Sequence, residues 1–173
     1  MDKERKIDLL LQDICARLPY GPMCHVRYIV NNETTDGENV WFEADDKITR
    51  VNIDFREIYT EWTEDWHDIK NVKLYLRPLK SMTEAEQQEL DELVSHYLDH
   101  DARKEDEYGS DSEWRLYDVT GIKNLMGGSR FYFDDMHHIY RWLDKKMFDY
   151  RGLIPAGVAI AVTEEHNPYN NKE

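Results

Sequence analysis

Two histidines four residues apart, His96 and His100, are the side chains here whose type and spacing come closest to a metal site, in the run Ser95-His96-Tyr97-Leu98-Asp99-His100. On a helix that spacing lets two imidazoles share one ion, and Asp99 or Asp101 could add an oxygen ligand. The run lacks the glutamate that zinc proteases keep as their base. At 100° per residue the pair also falls about 110° from the apolar stripe of the helix. A solvated helix flank is therefore favoured over a metal centre. His137-His138 sits on a further helix, where adjacent side chains diverge by about 100° and do not readily chelate together. Asp134-Asp135 could hold divalent ions as a two-metal nuclease does, but Asp134 stands where a helix cap is expected. Gly127-Gly128-Ser129-Arg130 has the glycines of a phosphate loop without the Gly-Lys-Ser/Thr ending, and reads as a hairpin turn. Arg77, Tyr150 and Arg151 could line a binding pocket, though a clamp from Arg151 to a carboxylate is favoured. His25 and His67 have no recognisable nucleophile near them in sequence.

The strongest statement about partners comes from charge. Lys+Arg number 22 against 36 Asp+Glu, a formal net charge of −14. Between Glu84 and Glu113 stand twelve carboxylates and two bases, a local −10 that accounts for most of the imbalance. If residues 84 to 101 are helical they span about 26 Å, which places one negative charge every ~3.6 Å, close to the ~3.4 Å of a single DNA strand. Glu86, Glu89 and Glu92 repel one another at i,i+3, at about 0.2–0.5 kcal/mol per pair. Two readings compete: a hydrated solubilising face, and a surface that presents charge to a basic partner. On the second, the binding residues are Glu84, Glu86, Glu89, Asp91, Glu92, Asp99, Asp101, Glu105, Asp106 and Glu107. Replacing Glu86, Glu89, Asp91 and Glu92 by Gln is then expected to abolish binding and leave the fold intact or slightly firmer.

Composition excludes several classes. With 173 residues, 40% of them hydrophobic and 12% aromatic, there is material for an ordinary core rather than a disordered acidic tail. The acidic balance argues against direct nucleic-acid binding and against docking on an anionic membrane. Cys15 and Cys24 form no C-x-x-C pair and read as two buried thiols in a reducing cytosol. The apolar run Leu9-Leu10-Leu11 is broken at Gln12 and Asp13, too short for a signal peptide or a membrane span. A cytoplasmic location follows.

The elements that would position these residues can be read from periodicity. Ile7, Leu10, Leu11, Ile14 and Leu18 predict an amphipathic helix over 3–18, stopped by Pro19, Gly21 and Pro22. Cys24, Val26, Tyr28 and Val30 alternate as a strand, Asn39 to Glu43 gives a second, and Thr49, Val51, Ile53 and Phe55 a third, with turns at Asp36-Gly37 and Asp45-Asp46. Ile58, Trp62 and Trp66 have helical spacing. Val72, Leu74 and Leu76 form a strand ended by Pro78. Thr83 and Glu86 make a capping box for a helix burying Leu90, Leu93, Val94, Tyr97 and Leu98. Residues 101–113 read as an exposed loop, Trp114 to Val119 as a strand and Phe131 to Phe133 as a short extended piece. Asp134 caps a third helix through Met136, Ile139, Tyr140, Leu143 and Met147. Val158, Ile160 and Val162 look like a final, central strand, and the polar tail from Glu164 is expected to fray. The expectation is one α+β domain over 1–163, an antiparallel sheet with about three packed helices, and a tail over 164–173.

Two stretches resemble a known family. Lys73 to Glu86, with Tyr75-Leu76-Arg77-Pro78-Leu79 and Ser81-Met82-Thr83-Glu84-Ala85-Glu86, and Tyr140 to Ile160, with Phe148-Asp149-Tyr150-Arg151-Gly152-Leu153-Ile154, resemble segments of a family of small uncharacterised proteins from gut-bacterial phages and mobile elements. They cover about a fifth of the chain. The resemblance departs at Asp144-Lys145-Lys146-Met147, where relatives tend to carry a His pair. It implies a phage or mobile-element setting and carries no catalytic residues.

Taken together, the sequence points to a non-enzymatic, cytoplasmic interaction module with no cofactor. Its acidic segment would dock a basic protein surface, such as that of a host nucleic-acid-binding defence protein, by charge mimicry. The alternatives are a metal-dependent enzyme using His96 and His100, and a structural or assembly protein of the particle.

Overall fold

The computed structural model describes residues 2–30, 40–97 and 133–170. In chain order its elements are α1 (Lys3–Arg17), β1 (Met23–Val30), β2 (Val40–Asn52), β3 (Glu57–Thr60), β4 (Trp66–Asp68), β5 (Val72–Leu76), α2 (Glu84–Tyr97), α3 (Phe133–Lys145), the single turn α4 (Leu153–Ala156) and β6 (Ala159–Ala161). The chain is α+β, as its patterning predicts. Its residues fall into two units, a sheet unit running to Leu76 and resuming at Leu153, and a helical unit, Arg77–Gly152. No helix among the described residues is long and apolar enough to cross a membrane.

In the sheet unit, Asp2 caps α1 by accepting the Arg5 N–H at 2.8 Å. The helical period then buries Ile7, Leu10 and Ile14 against Cys24, Val26, Ile48, Ile58, Val72 and Leu74. Each such side chain contributes about 1.5–3 kcal/mol on leaving water. Asp13 and Arg17 share the buried face of α1 as an i,i+4 ion pair, 2.7 Å apart and fully enclosed. Gly21, at φ 66°, makes the left-handed turn out of the helix, where a Cβ would come within 3.1 Å of Lys47 Cε.

The sheet runs β4-β3-β2-β1-β5-β6. All neighbours are antiparallel except β5 and β6, where Leu74, Tyr75 and Leu76 pair in parallel with Ala159, Ile160 and Ala161. Among the described strands β6 stands last in this order, beside β5 alone, where the sequence reading makes the final strand central. Four further readings change. Asp45-Asp46 is no turn, because β2 runs unbroken through it to Asn52. Ile53 and Phe55 lie beyond that strand in a tight turn and are exposed, while Ile58, Trp62 and Trp66 belong to β3, a loop and β4 rather than a helix. Of the two cysteines, only Cys24 is buried; Cys15 is exposed.

The C-terminal segment is likewise held where the sequence leaves it free. Tyr169 Oη donates to the Tyr75 carbonyl at 2.8 Å and accepts the Met23 N–H at 3.2 Å. Residues 31–39, the helix end at Leu98 and the stretches 101–113, 114–119 and 127–132 lie outside the described residues.

In the helical unit, the capping box forms as expected: Thr83 Oγ1 accepts the Glu86 N–H at 3.2 Å and Glu86 Oε2 accepts the Thr83 N–H at 3.1 Å. Leu90, Ile139, Leu143 and Phe148 make the buried core of this unit, with Leu79 beside them. Helix α3 begins at Phe133, one residue before its expected cap, so Asp134 lies inside the first turn.

Asp13→Ala is expected to leave the enclosed Arg17 without this carboxylate and to lower stability by about 3–5 kcal/mol. Urea denaturation followed by circular dichroism measures it.

Candidate functional site

The acidic helix is the first candidate. Arg77 grips Glu86 with two parallel hydrogen bonds, Nη1 to Oε1 at 2.6 Å and Nη2 to Oε2 at 2.8 Å. Lys146 Nζ lies 2.9 Å from Glu89 Oε2 and 3.9 Å from Glu86 Oε1, and Trp142 Nε1 donates to Glu89 at 3.2 Å. The cation seated between Glu86 and Glu89 offsets the i,i+3 repulsion expected from sequence. The Arg77 hydrogen bonds, against a smaller opposing effect of burial, lower the Glu86 pKa from 4.5 to about 2. Lys146, then Trp142, lower that of Glu89. Glu92 accepts from Gln88 Nε2 at 3.0 Å, and Glu84, Asp91 and Glu92 are exposed. Asp99, Asp101, Glu105, Asp106, Glu107 and His100 lie outside the described residues, and His96 falls in the last two residues of α2.

Those contacts correct one expectation. Substituting Glu86 and Glu89 removes partners of Arg77 and Lys146, so it cannot leave the fold firmer. They also settle the fate of Arg77, Tyr150 and Arg151, which act as clamps. Arg77 stacks over Phe148 at 4.4 Å while holding Glu86. Arg151 stacks over Tyr150 at 4.4 Å and reaches Asp144 at 3.3 Å, and Tyr150 Oη donates to that same carboxylate at 2.9 Å.

The second candidate lies in the sheet unit and was only partly visible in sequence. Neighbouring residues of a strand face opposite sides of the sheet, so Asp45 and Asp46 serve different surfaces. Asp46 is 3% exposed. Its carboxylate accepts the backbone N–H groups of Lys47 at 2.7 Å, Trp62 at 2.9 Å and Thr63 at 2.9 Å. Desolvation pushes its pKa up, but hydrogen bonds led by those from Trp62 and Thr63 outweigh it and leave the group below its usual value. The result is a fixed loop after β3, reversed again at Glu64 with φ 51°, that presents the Trp62 indole 72% exposed.

On the opposite face Asp45 organises a polar cluster. It stands directly across from His25 in the β1–β2 register, with His25 Nδ1 2.9 Å from Asp45 Oδ1. Tyr75 Oη donates to that oxygen at 2.7 Å and so accepts from His166 Nε2 at 2.8 Å, which gives His166 its Nε2 proton. Burial, then the Asp45 carboxylate, pushes the Tyr75 phenol pKa well up. Tyr75 thus stands as a donor to Asp45. Burial raises the Asp45 pKa, and the His25 and Tyr75 hydrogen bonds more than reverse that.

Although they point to opposite sides of the strand, Asp45 and Asp46 both border one open cleft of about 520 Å³ with Glu61, Glu165, His166 and Trp62; Lys47, bound to Glu61 at 3.0 Å, is the one Lys or Arg among the described residues that line it. No serine, threonine or cysteine is found among the described residues that line it. Among the described residues no group of three or more His, Cys, Asp or Glu is arranged to hold a metal. What this geometry can do is receive a cation: carboxylates for charge-assisted hydrogen bonds and an indole face for cation–π contact.

Sequence reading missed the cluster because His25, Asp45, Tyr75 and His166 come from four separate places in the chain. One signal existed: once β1 and β2 are read as a hairpin, His25 and Asp45 fall opposite each other. Comparison of the chain with known protein families, curated proteins and solved structures finds no match.

Two outcomes are expected. Asp46→Ala strands the Trp62 and Thr63 N–H groups and costs about 2–3 kcal/mol in chemical denaturation. For Glu86, the folded pKa lies below the unfolded one, so its contribution is fully present above about pH 4.5 and is lost as pH falls toward about 2. Glu86→Gln should therefore lower thermal stability at neutral pH, with the gap to the parent protein closing across that window.

Proposed function

We propose that this protein is a non-enzymatic interaction module that engages a basic protein surface through the acidic cleft beside Trp62. The observation that carries this reading is one cleft holding Asp45, Glu61 and Glu165 together with an indole 72% exposed. A Lys or Arg side chain of a partner could lie across the Trp62 face, worth about 0.5–2 kcal/mol, with its charged head among the carboxylates. Further exposed apolar side chains on this unit, Phe55, Trp66, Trp41 and Phe42 among them, supply the contact area that aromatic residues give to interfaces.

The acidic helix takes a lesser part in this reading than charge mimicry requires. Glu86 and Glu89 are held by Arg77 and Lys146. Glu84, Asp91 and Glu92, with the charge of the segment beyond them, act through long-range attraction that salt screens over about 10 Å. In the phage or mobile-element setting that the sequence resemblance implies, a nucleic-acid-binding defence protein in the cytoplasm of a bacterial host has the required basic surface.

An arginine-rich octapeptide titrated at low salt, followed by tryptophan fluorescence and calorimetry, tests the cleft. Trp62→Ala and Glu165→Gln should each weaken binding about tenfold or more, whereas Glu84→Gln with Glu92→Gln should change it less than about threefold. Equal affinity in the Trp62→Ala protein would sink the reading.

A further inference from the structure

A second cavity of about 520 Å³ lies in the sheet unit, and its charge is opposite to that of the protein. Its origin is topological. Strands β1 and β5 pair only through Cys24–Val26 and Val72–Leu74, so the sheet opens beyond Val72. The first turns of α1, the 3-10 turn Ile69–Asn71 and the link Gly157–Val158 close around that opening. Gly157, at φ 79°, allows the reversal between α4 and β6 that brings Val158 to the wall.

The lining divides into two parts. Leu10, Ile69 and Val72 are buried, and Val158 and Ile160 half-buried, so one part is apolar. Around it stand Lys3, Lys6, Lys70, Lys73 and Arg27, with Glu43 the one carboxylate among the described residues that line the cavity. In a chain of net charge −14, five cations gathered on one cavity run against composition. Three of them are steadied by protein acceptors: Lys6 Nζ donates to the Ala156 carbonyl at 2.6 Å, Lys70 meets Asp68 at 3.1 Å, and Arg27 meets Glu43 at 2.9 Å. Lys3 and Lys73 are exposed and make no ion pair among the described residues.

We propose that this cavity binds a small amphipathic anion, an apolar body bearing a carboxylate or phosphate that Lys3 and Lys73 neutralise. An inorganic anion alone would leave the apolar wall unused, and a neutral apolar molecule would leave Lys3 and Lys73 unmatched. Pockets of this size, mostly apolar with a few placed polar groups, are the usual form of small-ligand sites. This site is separate from the acidic cleft, and neither depends on the other.

Octanoate and octyl phosphate are the probes, titrated by calorimetry and by amide chemical shifts, with octanol and inorganic phosphate as half-ligands. At least one anionic probe should saturate, about tenfold tighter than either half-ligand, with shifts centred on Leu10, Val72 and Ile160. Which of the two binds identifies the head group. The double variant Lys3→Gln, Lys73→Gln changes two exposed side chains and should weaken binding about tenfold with an unaltered amide spectrum elsewhere, while Lys80→Gln, outside the cavity, should not. Failure of both anionic probes to saturate, octanol binding as tightly as they do, or shifts centred away from the cavity would each overturn the proposal, as would undiminished affinity in the double variant.

Discussion

A carboxylate buried in mid-strand, that of Asp46, governs the sheet unit. An acid at such a position is tolerated only when its charge is met by donors, and here they are backbone N–H groups from its own strand and from the loop after β3. The consequences reach outward. Strand β2 continues where the sequence suggests a turn, β3 is brought back against it across a register shift between Ile48 and Arg50, and the loop that carries Trp62 is held by these bonds. Because successive strand residues face opposite sides, the neighbouring Asp45 is placed at the same time on the other surface, within reach of His25, Tyr75 and His166. One Asp-Asp dipeptide thus ties the core side of the sheet to its exposed side.

Net charge alone is a poor guide to which carboxylates face a partner. Glu86 and Glu89 belong to the most acidic stretch of the chain, yet both are engaged by cations outside it, Arg77 and Lys146. Asp45 and Glu61, in a stretch of mixed charge, border an open cleft while each keeps a partner of its own, His25 and Lys47. The same separation operates for the bases, five of which gather on one cavity of a strongly acidic protein. Charge in this molecule is sorted by fold rather than by composition, and electrostatic attraction acts through the sorted pattern.

Much of the architecture was legible beforehand. Helix α1, strands β1 and β5, and the capping box of α2 were all visible, because each is set by local periodicity or by a side chain meeting backbone three residues away. The readings that changed share a different cause. Ile58, Trp62 and Trp66 have helical spacing, but pairing of β3 with β2 and of β4 with β3 overrides it. Val158 to Val162 reads as a doubly buried strand, yet among the described strands it has β5 alone as a neighbour. The tail looks free from its polarity, and is tied down by Tyr169 and His166 to a tyrosine more than ninety residues earlier.

By itself the sequence determined the α+β class, the capping box of α2, the buried faces of β1 and β5 and the acidity of 84–113, since these depend on neighbours within a few residues. Only the tertiary structure decided which acids are neutralised, that Asp45 meets His166, and that lysines from α1 and β5 share a cavity with Arg27. The physical reason is that hydrogen bonds and ion pairs reach only about 3–4 Å. Which residues come that close across seventy or more positions depends on strand order and register, which local pattern does not encode.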